Sequence, residues 1–279
     1  MHKRVEKGSW TVRFGQTLKG FLKILIGSHR VLYPKIDRQR PMLILANGPS
    51  LAVTLAEEKD VLALYDKMAV NFAANTQQFA NIKPEYYILA DPHFFDNPTD
   101  PNVARLLENI SKVDWPMTLF VPFAALKRCP LKANDFLKIE GYNAVGVEGF
   151  DWFVDWAYSM RLAMPRPRNV LIPAIMTSIG LGYKTIYLAG ADHSWTSTLT
   201  VDETNAVLPS QPHFYEEDPA EKERIRDVYR SIPLHSVLYS FYLAFRSYFQ
   251  IERYAASRGI TIYNATPGSF IDAFKRKSL

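Results

Sequence analysis

Polar residues and tight turns follow several of the predicted strands, and these are the residues whose types and spacing could do chemistry. An apolar run from residue 42 to 46 ends in Asn47-Gly48-Pro49-Ser50, which is typical of a buried parallel strand followed by a turn. Other predicted strand ends carry Asn71, Asp91, and Asp192 with His193. In an open parallel sheet such residues meet at one edge, where ligands bind.

The turn after the first strand has features of a phosphate-binding turn. Gly48 permits a ligand to approach the backbone closely, and a helix beginning near Ser50 offers free N–H groups and a positive dipole end to an anion. We also expect the Ser50 side chain to cap that helix. A plain turn with no ligand explains the same residues, so both interpretations stay open.

Two histidines are candidates for a general base. His193 follows a predicted strand end, and His213 lies in a polar segment, residues 193–219, that predicts a long loop or lid. A histidine suits this role because its unperturbed pKa lies near working pH, so it can take a proton from a hydroxyl group. For each of them the alternative is an ordinary surface histidine.

The elements that must position these residues alternate between strand and helix. Strands are predicted at 42–46, 68–71, 86–90, 117–121, 185–189 and 260–264, with helices at 169–181 and 233–258 among others. This alternation favours a single α/β domain with a doubly wound, mostly parallel sheet. The aromatic residues of the 233–258 helix are a candidate subunit interface, so a homo-oligomer stays open.

Charge is concentrated at one end of the chain. Residues 1–40 hold ten Lys and Arg against two acids, a balance of +8, whereas the other residues hold 23 basic and 26 acidic residues, a balance of −3. Because the body is slightly acidic, a nucleic-acid partner is not expected. The single cysteine, Cys129, excludes a disulfide framework and a cysteine-based zinc cluster within the chain, and it favours a reducing compartment.

The basic end has the pattern of an amphipathic helix. Its apolar residues recur at three- and four-residue spacing among lysines and an arginine: Trp10, Phe14, Leu18, Phe21, Leu22 and Leu25. This pattern predicts a helix over residues 10–26 that lies on an anionic membrane surface. We therefore divide the chain into a membrane-proximal segment, 1–40, and a catalytic domain, 41–279, in a cytoplasmic protein at the inner face of the cell membrane. The alternative is a helix that packs on its own domain.

Four patches of the sequence resemble one enzyme family. ANGPSL at 46–51, VNF at 70–72, IGLGYKTIYLAGAD at 179–192 and GITIYNATPGSFIDAF at 259–274 are similar, in order, to the bacterial sialyltransferases of glycosyltransferase family 42. Related motifs occur in motility-associated nonulosonate transferases and in pterin diphosphokinase-like domains. The resemblance implies a Rossmann-type fold, as a variant of the GT-A architecture.

The resemblance also implies roles for individual residues. It assigns contacts with the phosphate and ribose of a cytidine nucleotide to the 47–50 turn and Asn71. Asp91 replaces a family asparagine and suits hydroxyl groups of ribose or sugar, because a carboxylate repels phosphate. His193 and Ser194 stand where the family has tyrosines that support the leaving phosphate. The family's general base is a histidine in the lid, for which His213 is the candidate besides His193. The implied donor-binding residues are Asn47, Gly48, Pro49, Ser50, Asn71, Asp91, Arg168, Asn169, Asp192, Ser194 and Asn264.

The implied activity is transfer of a CMP-linked acidic sugar, such as sialic acid or a related ulosonic acid, to a glycan or lipid-linked acceptor. The mechanism is inverting displacement, which needs no metal ion or cofactor. Asp91 with Asp192 is the alternative for a metal site. A diphosphokinase that uses ATP and magnesium, and a non-catalytic nucleotide-binding module, remain as alternative functions.

Overall fold

The computed structural model describes residues 8–33, 39–57, 60–209, 223, 227 and 229–279. Its strands are β1 (Met42–Leu45), β2 (Asp66–Val70), β3 (Tyr86–Ile88), β4 (Met117–Pro122), β5 (Leu137–Tyr142), β6 (Thr185–Ala189), β7 (Leu199–Val201), β8 (Val207–Pro209), β9 (Thr261–Asn264) and β10 (Lys275–Arg276). Eight of them form one parallel sheet in the order β10-β9-β6-β1-β2-β3-β4-β5. The predicted α/β class with a parallel sheet is confirmed.

Helices cover both faces of this sheet. They are α1 (Trp10–Gly27), α2 (Ser50–Glu57), α3 (Phe79–Ile82), α4 (His93–Asp96), α5 (Pro101–Ser111), α6 (Phe123–Leu126), α7 (Asp151–Ser159), α8 (Leu171–Gly180) and α9 (Leu234–Ser257). Alternate residues of β1 show the two sides: Met42 and Ile44 join a core with α7, α8 and α9, while Leu43 and Leu45 pack with α2. The sheet is therefore doubly wound, as predicted.

The order of the strands places a crevice between β1 and β6. The chain builds the sheet outward from β1 through β2, β3, β4 and β5, and then crosses to the other side of β1 to add β6 and β9. Strand order thus reverses at β1, and the crevice beyond the carboxyl ends of β1 and β6 is where such sheets bind ligands. Since α8 leads directly into β6 and packs on β1 and β2, its amino end lies at this same edge.

Helix α1 forms where the amphipathic pattern predicts it and packs on the domain through one face. Thr17, Gly20 and Ile24 are its buried residues, and the Phe150 N–H donates to Thr17 Oγ1 at 3.0 Å. Arg13 pairs with Asp151 at 3.0 Å. None of the described helices is long and apolar enough to cross a membrane.

The predicted lid differs from the structure. Residues 193–209 are not an irregular loop, because a short 3-10 helix, Ser194–Ser197, is followed by the antiparallel hairpin of β7 and β8. The hairpin packs on α9 through Val207, Val237 and Phe241, and Asp202 accepts the N–H groups of Thr204 and Ala206 to close its turn, both at 2.9 Å. The rest of the predicted lid, residues 210–219, lies outside the described residues.

Substitution of Gly20 tests the docking of α1. A Cβ atom there would lie 2.5 Å from Phe153 Cε1, whereas a Cβ at Gly15 has no atom within 4 Å. We expect Gly20→Ala to lower the free energy of unfolding by about 1–3 kcal/mol and Gly15→Ala to raise it by about 0.5–1 kcal/mol. Urea unfolding of the two variants measures this, and equal effects would show that α1 does not rest on Phe153.

Candidate functional site

The turns after β1 and β6 are bonded to each other. The Ala46 N–H donates to the Ala189 carbonyl at 2.9 Å, and the Gly48 N–H donates to the Gly190 carbonyl at 2.8 Å. These bonds continue the ladder between the two strands beyond their ends. The predicted residues Asn47, Gly48, Pro49 and Ser50 are thereby brought beside Asp192 and His193, at the point where strand order reverses.

Asp192 occupies the first turn of α2. Its Oδ1 accepts the Ser50 N–H at 3.3 Å and its Oδ2 accepts the Ser50 hydroxyl at 2.7 Å. The expectation that this turn offers a free N–H to a phosphate is therefore wrong, because a carboxylate already holds that position. The expectation that Ser50 caps the helix is also wrong, since Ser50 is the first residue of α2 and Asp192 supplies the cap.

The packing of the two strand ends leaves no room for a side chain at Gly48. A Cβ atom at this position would overlap the Asp192 carboxylate and lie 2.5 Å from the Gly190 carbonyl oxygen. Pro49 follows as an exposed residue of the turn. The turn chemistry that resembles a phosphate-binding motif thus serves the contact between the two strand ends.

Asn47 and Asn71 connect the neighbouring strand ends. Asn47 Nδ2 donates to the Val70 carbonyl at 3.2 Å, and its Oδ1 is buried without a partner among the described residues. Asn71 adopts a left-handed backbone with φ of 47°, and its Oδ1 accepts the Ala90 N–H at 3.3 Å. Asn47 therefore presents one unpaired acceptor at the carboxyl edge of the sheet.

Asp91 begins a turn that holds a histidine not identified from the sequence. Asp91 Oδ1 accepts the N–H of His93 at 2.9 Å. His93 Nδ1 lies 3.1 Å from Asn97 Nδ2, and its Nε2 lies 3.7 Å from Asp100 Oδ2. Its position two residues after a strand-end aspartate was the available signal.

No three His, Cys, Asp or Glu side chains converge as a metal site within the described ranges.

His193, Tyr248 and Asn169 form a buried chain of hydrogen bonds. His193 Nε2 lies 2.6 Å from the Tyr248 hydroxyl, which lies 3.0 Å from Asn169 Oδ1. The three residues come from the end of β6, the middle of α9 and the segment before α8. Tyr248 was not predicted as a site residue, because aromatic spacing in a long helix indicates only packing.

These bonds determine the tautomer of His193. Asn169 Oδ1 also accepts the Leu171 N–H at 3.0 Å, which orients the amide so that Tyr248 donates to it. A hydroxyl has one proton, so Tyr248 must accept from His193 Nε2–H. The lone pair of the imidazole therefore lies on Nδ1. The other amide atom, Asn169 Nδ2, is buried and has no partner among the described residues.

Burial keeps the His193 ring neutral. The ring lies against the tilted ring of Trp195, with 4.0 Å between the ring centroids, and loss of hydration lowers the pKa of His193 to about 3. Burial likewise raises the pKa of Tyr248 well above its ordinary value, so its hydroxyl stays protonated. His193 adopts a left-handed backbone with φ of 53°, which turns its side chain from the strand end toward α9.

Glu148 forms ion pairs with two arginines that are close in sequence to Asn169 and Tyr248. Its Oε2 accepts from Arg166 Nη2 at 2.7 Å and its Oε1 from Arg246. Burial alone raises the pKa of Glu148, but the two guanidinium groups outweigh burial and hold that pKa below its ordinary value. The Ser247 hydroxyl donates to the Arg166 carbonyl at 3.2 Å, so α9 is joined to the segment that carries Arg168 and Asn169.

The remaining predicted residues differ in their exposure and in their hydrogen bonds within the protein. Arg168 is exposed and Ser194 is half-buried. Asn264 is buried, and its amide bonds to Ser269 Oγ at 2.9 Å and to the Thr266 N–H at 3.0 Å, so it orders its own loop. The predicted base His213 lies outside the described residues.

A solved structure has a similar arrangement of the chain. The structure of the MAf glycosyltransferase from Magnetospirillum magneticum AMB-1 matches 98% of this chain and 39% of its own length, with 11% identity and a TM-score of 0.51. This chain shares its fold with part of that protein. At this identity the likeness shows the fold alone. No protein-family model matches the chain, and no curated protein does, so membership of family 42 stays a prediction.

The pH dependence of stability tests the burial of His193. The unfolded chain binds a proton at this histidine below about pH 6.5, whereas the folded protein does so only near pH 3. Stability therefore falls as pH is lowered through this window, by about 2 kcal/mol between pH 7 and pH 5. We expect His193→Asn to remove that part of the slope in urea unfolding. The exposed control His235→Asn should keep the wild-type slope, and an unchanged slope in His193→Asn would show that the ring is hydrated.

Proposed function

We propose that the protein is a glycosyltransferase that binds a nucleotide-sugar donor in the crevice between β1 and β6. The observation that carries this proposal is a pair of buried, unpaired amide atoms of opposite polarity, Asn47 Oδ1 and Asn169 Nδ2. A buried polar atom without a partner costs about 1–3 kcal/mol. Both residues belong to segments that end at the carboxyl edge of the sheet, so a bound ligand can satisfy both.

The polarity of these atoms specifies the ligand. Asn47 Oδ1 is an acceptor and requires a donor, such as a hydroxyl group of ribose or sugar. Asn169 Nδ2 is a donor and suits an anionic oxygen, and Arg168 adds a positive charge next to it in sequence. The donor proposed from the family resemblance, a CMP-linked acidic sugar, offers hydroxyl groups together with phosphate and carboxylate oxygens. In this arrangement Asn47 binds hydroxyl rather than phosphate.

The proposed reaction is an inverting displacement without a metal ion or cofactor. The acceptor hydroxyl attacks the anomeric carbon, the bond from that carbon to the phosphate oxygen breaks, and CMP leaves with the bonding electrons. A histidine takes the hydroxyl proton. His193 has a lone pair on Nδ1 for this step, and the negative charge of a bound donor would raise its low pKa toward working pH. His213 is the other candidate.

The acceptor in this proposal is a glycan or a lipid-linked sugar. A lipid-linked acceptor places the enzyme at the inner face of the cell membrane, in contact with it through residues 10–26. On α9, Tyr239 and Tyr242 stack at 6.1 Å between centroids and are exposed, and they keep a homo-oligomer as part of the proposal.

Calorimetric titration with CMP, CDP, UDP, GDP and ATP, with and without magnesium, tests the donor. We expect CMP to bind in the presence of EDTA. Asn169→Asp replaces the unpaired N–H₂ by an oxygen of the same size, so it should weaken CMP binding by about tenfold or more. Asn81→Asp makes the same change at an exposed position and should leave the affinity unchanged. Magnesium-dependent ATP binding would favour a diphosphokinase, and binding of none of the nucleotides would refute the transferase.

Two histidine variants distinguish the proposed bases once CMP binding is established. Loss of a general base lowers kcat by about 10²- to 10⁴-fold while CMP affinity persists. We expect this loss for either His193→Asn or His213→Ala in a transfer assay with a CMP-sugar donor. Full activity in both variants would exclude histidine as the base.

A further inference from the structure

Helices α1 and α7 expose a continuous row of large apolar side chains. Nine of these residues are 40–87% exposed, and together we name them the two-helix apolar surface: Trp10, Phe14, Leu18, Leu22, Leu25 and Ile26 from α1, and Trp152, Trp156 and Met160 from α7 and its end. Such a patch on one face of a protein marks an interaction site. The packing of α1 on the domain leaves this row uncovered.

The two helices form one surface because aromatic rings join them. Phe21 of α1 lies 6.3 Å from Trp152 and 5.8 Å from Trp156, measured between ring centroids. Trp152, Trp156 and Met160 are spaced by four residues, so they follow one side of α7. Nothing in the sequence pattern of residues 10–26 indicates this second helix, which is brought beside α1 only by folding.

The charges near this surface favour a lipid partner. Lys19 and Lys23 are exposed on α1, and the first 40 residues carry a balance of +8. The remainder of the chain carries −3, so the positive charge is specific to this end. Apolar side chains bordered by lysines, with tryptophans among them, match the interface of an anionic bilayer.

We propose that the two-helix apolar surface docks on an anionic bilayer and that α7 supplies three of its nine contact residues. This surface deepens the membrane contact proposed above and rests on that part of the proposed function. The tryptophans of α7 enter the headgroup region beside the leucines of α1, and the lysines bind lipid phosphates. The partner is a lipid surface rather than a second copy of the chain.

Co-sedimentation of the full chain with vesicles tests the docking. We expect binding to phosphatidylcholine vesicles that contain phosphatidylglycerol and much weaker binding to phosphatidylcholine alone. The pairs Trp152→Ser with Trp156→Ser, and Leu18→Ser with Leu22→Ser, should each lower the partition coefficient by about tenfold or more. Val53→Ser with Leu64→Ser removes equally exposed apolar residues on the α2 side of the sheet and should bind like wild type.

Tryptophan fluorescence gives a second measurement that leaves α7 intact. In the triple variant Trp10→Phe, Trp115→Phe and Trp195→Phe, Trp152 and Trp156 are the two tryptophans that remain of the five in the sequence. Quenching by brominated lipid then reports on these two residues, and we expect quenching to persist. The proposal would be overturned if the variant with Trp152→Ser and Trp156→Ser bound vesicles like wild type, or if the triple tryptophan variant showed no quenching. It would also be overturned if the protein sedimented as a dimer that each pair of serine substitutions dissociates.

The vesicle assays use no nucleotide and the calorimetric assays use no lipid. A protein that binds vesicles but none of the nucleotides keeps the docking surface and loses the transferase. A protein that binds CMP but not vesicles keeps the transferase and loses the docking surface.

Discussion

Asp192 receives the N–H and hydroxyl groups of Ser50 on its two carboxylate oxygens, and this contact joins the end of β6 to the start of α2. It lies at the reversal of strand order, in the crevice beyond the carboxyl ends of β1 and β6. Gly48 follows from the same contact, because no side chain fits between the carboxylate and the Gly190 carbonyl. The first turn of α2 is therefore occupied by a carboxylate of the protein itself.

The loop after β9 holds this contact in place. Thr266 Oγ1 accepts the Ala191 N–H at 2.9 Å, Ser269 Oγ donates to the Ala191 carbonyl at 2.6 Å, and the Phe270 N–H donates to the Asp192 carbonyl at 2.8 Å. The backbone on either side of Asp192 is thus restrained, so His193 leaves the strand in one direction and meets Tyr248. An unpaired group in a buried polar chain of this kind is costly, and here the amide nitrogen of Asn169 has no partner among the described residues.

The segment 146–150 connects the apolar surface to the polar chain. On one side it contacts α1, where Lys23 donates to the Gly146 carbonyl at 3.0 Å. On the other side Glu148 binds Arg166 and Arg246, which stand close in sequence to Asn169 and Tyr248. Breaking a buried ion pair by removing one partner leaves an uncompensated charge. The segment 146–150 therefore contacts α1 on one side and, through Glu148, the segments that carry Asn169 and Tyr248 on the other.

Local pattern determined the fold class of the protein and predicted the sheet edge at which the candidate site lies. The apolar runs 42–46, before Asn47, and 185–189, before Asp192, predicted parallel strands with polar ends. The three- to four-residue spacing from Trp10 to Leu25 predicted α1. Both predictions were possible because periodicity and turn residues are local properties of a sequence. Tertiary structure alone decided which polar atoms are hydrogen-bonded within the protein and which have no partner among the described residues. It assigned the first turn of α2 to Asp192, paired His193 with Tyr248 across 55 residues of sequence, and placed α7 beside α1. Such contacts depend on which segments, distant in sequence, pack against each other, and neither residue type nor local spacing specifies that packing.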